Sequence, residues 1–258
     1  MLKFPTIVPS SKVDGIVTWK DGTDAQIAKM IQMADAGLID LSDYWSIGDE
    51  RTVHLNAMTA DNNAFTSNIP AQDVTLVLMN EGYPDVIING TTYSNAGVHY
   101  VIGQKDCLSV GGRMNSTASN SGSWNDSKMW TSLNTTYLQA FPTTFYRDVL
   151  KVGRVATTKT YNGTDLQQVG ARVALFAEKE IFGERTYSNA TEAAALTQIE
   201  YYKTAANLIK QVNGSNYSWW ERSPYSSDGS YFCNVTSNGS AGGSNASSTR
   251  GIAPMMFI

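Results

Sequence analysis

The chain runs to 258 residues, enough for one large α+β domain or a domain with a small appendage. It is 42% hydrophobic but only 16% charged, and Asn, Ser, Thr and Gly supply the missing polarity, so its surface suits sugars or protein surfaces better than phosphate backbones. A net charge of −4 with no Lys/Arg cluster excludes nucleic-acid binding driven by counterion release, and no apolar run reaches the roughly 18 residues of a membrane-spanning helix.

Residues 1–22 read as extended up to the Asp21-Gly22 turn. Their start is not a Sec-type signal peptide, because Pro5, Pro9, Ser10 and Ser11 interrupt any apolar h-region. A helix begins at Thr23-Asp24, carries Ile27, Met30, Ile31, Met33 and Ala34 on its apolar face, and closes near Gly37. Strands are predicted over 51–55 and, more buried, over 73–79; a short one over 99–102 leads to Cys107. Residues 80–98 are turn-rich and 111–127 form a loop of Gly, Ser, Asn and Thr. Between Met129 and Leu150 apolar residues recur at helical spacing, broken at Pro142. Residues 151–170 read as a hairpin around Asn162-Gly163, 171–176 as a strand and 191–211 as a helix. These elements predict one ligand-binding domain over 41–258, behind a connecting segment over 1–40 that holds a short helix.

Cys107 and Cys233 sit among strand-type residues, which predicts two buried small hydrophobes; spacing leaves a disulfide between them open. With two histidines and no C-x-x-C, no metal site is signalled. His54, between Val53 and Leu55, reads as a satisfied structural histidine. Glu178 and Glu180, two apart on an expected strand, share a side, but the Lys179 between them favours scaffold over acid/base chemistry.

Residues 214–258 differ in composition from the rest. Trp219-Trp220-Glu221-Arg222-Ser223-Pro224 is followed by Tyr225-Ser-Ser-Asp-Gly-Ser230, then Tyr231-Phe-Cys-Asn-Val-Thr-Ser-Asn-Gly-Ser240, a polar stretch to Arg250, and Gly251-Ile-Ala-Pro254. Such a stretch also fits a disordered tail, but Trp219, Trp220, Phe232, Val235, Ile252 and Phe257 are spaced to anchor it to a core.

These blocks resemble a large bacterial and phage family of C-type-lectin-like domains, whose members end in W-W/Y-x-R-S-P and G-x-A-P. The upstream segments Trp45-Ser-Ile-Gly48, Arg51-Thr-Val-His-Leu55, Gln72-Asp-Val-Thr75, Gly103-Gln-Lys-Asp-Cys107, Met114-Asn-Ser116 with Gly122-x-Trp124, and Ala177-Glu-Lys-Glu-Ile-Phe182 are similar to the same family, so the resemblance spans about residues 40–258. It implies an α+β fold of the C-type-lectin-like kind, with a small twisted antiparallel sheet, two flanking helices and long irregular loops. Formylglycine-generating enzymes and the variable proteins of diversity-generating retroelements share that fold. In the latter the C-terminal segment is rewritten at adenine-containing codons, and the Asn, Ser, Thr, Tyr, Asp and Gly between the framework residues here belong to that set.

The resemblance assigns Trp219, Trp220, Arg222 and Pro224 to scaffold, with Arg222 pairing a carboxylate or loop carbonyls beneath the binding face. The ligand-binding candidates are Glu221, Tyr225, Ser226, Ser227, Asp228, Ser230, Tyr231, Asn234, Thr236, Asn238, Ser244, Asn245, Ser247, Ser248 and Arg250. Tyr gives contact area at low entropy cost, and Ser and Asn adapt their hydrogen bonds, the chemistry antibody loops use. The expected function is non-enzymatic receptor or ligand binding, without cofactor, metal, nucleic acid or membrane insertion. The expected partner is a protein or glycan on a cell surface, bound from a phage tail or a bacterial surface, as a homotrimer or within a larger assembly. Two alternatives stay open: a structural virion protein with a fixed C-terminal interface, and a formylglycine-generating-type oxidase. The oxidase needs two thiols placed to hold copper, and neither cysteine matches that pattern.

Overall fold

The computed structural model describes residues 15–204 and 208–258. The expected extended segment over 1–14 and the expected helical residues 205–207 lie outside the described residues.

Residues 15–22, the described part of the stretch expected to be extended, hold turns rather than a strand: the Gly22 amide closes back on the Thr18 carbonyl at 3.1 Å. Helix α1, Asp24–Asp35, starts at a capping box in which the Gln26 amide donates to the Thr23 hydroxyl and the Thr23 amide donates to Gln26 Oε1. Its buried face is Ile27, Ala28, Met30 and Ile31. Strand β1, Glu50–Leu55, alternates so that Arg51, Val53 and Leu55 point inward. Through its two terminal nitrogens Arg51 donates there to the Trp19 and Gly22 carbonyls and to Asp24, 2.5 Å away. Strand β2, Gln72–Glu81, pairs antiparallel with β1 and places His54 opposite Asp73. His54 is therefore satisfied, by Asp73 at 2.7 Å, but on the exposed face of the strand.

A hairpin of β3, Val86–Ile88, and β4, Thr91–Tyr93, turns at Asn89-Gly90, both with positive φ as a tight hairpin requires. Strand β5, Tyr100–Gln104, is buried throughout. After the long polar loop come α2, Lys128–Ser132, a π-helical turn over Leu133–Tyr137, and α3, Leu138–Ala140. Pro142 ends that run, and a second π-helical turn, Phe145–Val149, packs against α1.

Strands β6, Gly153–Thr158, and β7, Leu166–Ala171, form the hairpin that Asn162-Gly163 predicts. In the stretch expected to be extended over 171–176, Ala171 closes β7 and Val173–Ala174 form β8, while 175–176 are not strand. The 178–182 block is a short helix, α4, Glu178–Phe182, not a strand, and Gly183 closes it at φ 75°.

The helix expected over 191–211 is broken. It appears as α5, Ala190–Ala194, and α6, Glu200–Thr204. Between them Gln198 donates to the Ile181 carbonyl and the Ile199 amide to the Glu180 carbonyl, both at 2.9 Å. Those bonds satisfy α4 and interrupt the helical ladder. Lys210 then opens a strand, β9, Lys210–Val212, hairpinned to β10, Ser215–Tyr217.

The C-terminal segment is fully structured as β11, Trp219–Pro224, β12, Tyr231–Val235, β13, Ala241–Asn245, and β14, Met255–Phe257. The protein is thus an α+β fold of small antiparallel sheets and short helices. Its main sheet has the order β1-β2-β5-β14-β8, and a second sheet has the order β11-β12-β13. Strand β14 lies inside the main sheet, and residues 251–258 are all buried. One hydrophobic core runs from Trp19 to Ile258. The described part of the expected connecting segment belongs to it, with Trp19 edge-on to Trp45 at 5.6 Å. Among the described residues no helix is long and apolar enough to cross a membrane.

Candidate functional site

The scaffold of the second sheet is built from the W-W-x-R-S-P block. Trp219 and Trp220 are fully buried and donate their indole N–H groups to the Leu208 and Gly112 carbonyls. Arg222, also fully buried, holds Glu180 through Nη1 and Nη2 and donates to the Leu175 carbonyl at 2.8 Å. Tyr83 donates to the same carboxylate.

On the outer side of β12 and β13 lies a shallow open cleft of about 350 Å³, lined by Tyr187, Tyr225, Ser227, Asp228, Tyr231, Gly242 and Gly243. Tyr187 and Tyr225 stack with ring centroids 5.0 Å apart, and Tyr231 lies tilted against Tyr225 at 6.0 Å. Tyr225 packs closely on β13 because Gly243 has no side chain: a Cβ there would stand 2.5 Å from the ring.

Two interior groups fix this arrangement. Glu178 accepts from the amides of Thr186, Tyr187 and Ser188 and from the Ser188 hydroxyl, at 2.6 to 3.1 Å, which shapes the loop carrying Tyr187. That loop is sewn to the sheet by the Ser226 amide, which donates to the Tyr187 carbonyl. Asn120, from the long polar loop, donates to the Asp228 and Tyr231 carbonyls and fixes the turn on the other side. Asp228 is exposed, and its Oδ1 accepts from the Ser230 amide at 2.8 Å.

Of the sequence candidates, Tyr225, Ser227, Asp228 and Tyr231 meet in the cleft. Ser226 and Ser230 flank it, and Asn245 stands opposite Tyr231 across the ladder. The Asn245 carboxamide holds the following turn by accepting from Ser247, with Ser248 next to it. Arg250 donates to the Ser244 hydroxyl and the Thr249 carbonyl. Thr236 and Asn238 form the β12–β13 turn, at the other end of the hairpin from Tyr231.

Three candidates are corrected, because they are buried and present nothing to a ligand. Glu221 is fully buried, Asn234 is 3% exposed and Ser244 is 6% exposed. Asn234 and Ser244 bond each other across the sheet at 3.2 Å. Glu221 keeps both carboxyl oxygens without a hydrogen-bond partner. Burial, then the nearby Glu178 and Glu192 carboxylates, push its carboxyl well above the usual range, which favours the neutral form. Tyr187, Glu178 and Asn120 escape a reading of the C-terminal segment, since each reaches the cleft from a distant part of the chain and no periodicity marks it.

Cys107 and Cys233 are both buried free thiols. Burial pushes the Cys107 thiol up to about 12, and burial followed by the Glu221 carboxyl pushes Cys233 well up. Burial likewise draws the Lys210 ammonium down to about 8; it donates to the Gln104 and Lys105 carbonyls and lies over the Trp219 ring. Among the described residues no cluster of three or more His, Cys, Asp or Glu is placed to hold a metal ion.

Residues 99–258, more than half of the chain and all of the cleft, match the family model described as Domain of unknown function (DUF6273). No curated protein and no solved structure matches the chain.

Proposed function

The chain belongs to the DUF6273 family, and we propose that this member is a non-enzymatic binding protein that takes its ligand in the Tyr187–Tyr225–Tyr231 cleft. The observation that carries this reading is the three-tyrosine wall over a glycine floor, held from behind by Glu178 and Asn120. Rigid aromatics give contact area without a large ordering cost, and a preset cleft loses little on binding. The burial of both free thiols favours this reading over a copper-dependent oxidase, which needs accessible thiolates.

The finer reading follows from the sequence blocks. The α+β scaffold is of the C-type-lectin-like kind, the ligand is a protein or glycan on a cell surface, and the protein is displayed on a phage tail or a bacterial surface. Residues 214–258 are diversified by a retroelement, with the buried framework of β11 and β14 kept fixed. Repeated copies on such an assembly make individually weak contacts sufficient.

The test is attachment to target cells by the labelled protein carrying Tyr187→Ala, Tyr225→Ala and Tyr231→Ala together. Attachment should be lost while the far-UV spectrum and melting profile stay close to the parent. Undiminished attachment overturns the reading. Deep sequencing of the 3′ end of the gene addresses diversification separately: changes confined to adenine-containing codons support it, and an invariant segment removes it.

A further inference from the structure

Resting on that reading of the cleft, we propose that its occupant is an arginine side chain carried on a protein partner. The argument is charge complementarity. Of the seven residues lining the cleft, three are tyrosines and the single charged one is Asp228. Aromatic faces are electronegative, and a carboxylate at their rim adds a full negative charge, a combination that favours a cation.

Among the described residues, the arginines of β11, of the Tyr187 loop and of the segment after β13 are already engaged elsewhere. Arg222 is consumed by Glu180, and Arg250 is tied to the Ser244 hydroxyl and the Thr249 carbonyl. Arg185, the basic residue on the Tyr187 loop, donates to the Ser188 carbonyl at 3.1 Å. The carboxylate of Asp228 is preset, because Oδ1 accepts from the Ser230 amide while Oδ2 bonds no described residue.

A guanidinium fits this geometry better than an ammonium. Its plane lies on a tyrosine ring while paired N–H groups reach the carboxylate, whereas a lysine offers a compact, strongly hydrated point charge. Half-buried backbone at Gly242 and Gly243 and exposed hydroxyls at Ser227 and Ser247 provide polar contacts for the peptide on either side. A neutral sugar gains from the rings but leaves the charge of Asp228 uncompensated.

The experiment titrates the isotopically labelled protein with N-acetyl-arginine amide, the citrulline amide, tetramethylammonium and a methyl glucoside. The tyrosine rings and the Gly242 and Gly243 amides report occupancy. Arginine amide should shift these signals with an affinity about tenfold above that of the neutral citrulline amide, and Asp228→Asn should remove about that factor. Asn keeps the bond from the Ser230 amide, so this variant retains the turn. Equal binding of arginine and citrulline overturns the proposal, as does a stronger response to tetramethylammonium, which would point to a quaternary ammonium head group. A response to the glucoside alone also overturns it while leaving the cleft a ligand site. Silence with every probe overturns it too, and the triple tyrosine variant then decides whether the binding reading falls with it.

Discussion

Arg222 and Glu180, 42 residues apart, meet in a two-pronged ion pair shut off from solvent, with Nη1–Oε2 at 2.5 Å and Nη2–Oε1 at 2.8 Å. Taking both charges out of water is costly, and it is offset here because the remaining positions are also bonded: the Leu175 carbonyl, the Ala177 amide and the Tyr83 hydroxyl. Removing one partner strands the other. Arg222→Met or Glu180→Gln should each cost about 3–5 kcal/mol in urea denaturation. A loss below about 1 kcal/mol would show the pair to be dispensable.

Glu178 gathers four donors from residues 186–188, and a glutamine offers one acceptor oxygen in place of two charged ones. Glu178→Gln should lower stability by about 1.5–3 kcal/mol. Its local signature is faster hydrogen exchange at the Tyr187 and Ser188 amides than at β5. Unchanged exchange there would mean that the loop is held by the sheet alone.

The parts legible in the sequence were those written by local rules. The Thr23 cap, the Asn162-Gly163 turn, the alternation of β1 and the buried aromatics of β11 each depend on residues a few positions apart. The break between α5 and α6 was not legible, because Gln198 and Ile199 leave the helical ladder for carbonyls of α4, a contact that composition does not encode. The Tyr187 wall of the cleft was missed for a similar reason. Tyr187 faces Tyr225 only because Glu178 folds the loop between them, and a polar letter such as Glu221 or Asn234 looks exposed until the sheet that covers it is known.

Glu221 makes stability depend on pH with a definite sign. Burial first, then the Glu178 and Glu192 carboxylates, raise its carboxyl well above the ordinary value of 4.5. The folded protein therefore keeps this proton where the unfolded chain has released it. The contribution is whole below the unfolded pKa and is lost as pH rises toward the folded one, at about 1.4 kcal/mol per pH unit. Glu192, raised chiefly by burial, acts in the same direction. Glu221→Gln removes its share, so the variant should gain on the parent in urea midpoint from about pH 5 to about pH 7. Parallel pH profiles would show that Glu221 ionises without penalty.

Both cysteines should resist alkylation in the native protein. Burial keeps the Cys107 and Cys233 thiols protonated, and only thiolates attack. Mass spectrometry after brief iodoacetamide treatment at neutral pH should find both unmodified, and both labelled once urea unfolds the chain. Rapid native labelling of either would place an open path to that sulfur.

Gly243→Ala separates the cleft from the fold. The added methyl stands 2.5 Å from the Tyr225 ring, and because Tyr225 is only half-buried it has room to lift away. The cost to stability should stay below about 1 kcal/mol, since little core surface is disturbed. The stack on Tyr187 is then lost and the cleft opens, so attachment and the arginine-induced shifts should fall together. Gly153→Ala is the matched control, because its methyl collides with Phe257, which is fully buried. Overpacking there should cost about 1–3 kcal/mol while leaving the cleft as it is. If Gly243→Ala binds like the parent, Tyr225 does not need to lie on β13, and the ligand must rest on Tyr187 and Tyr231 instead.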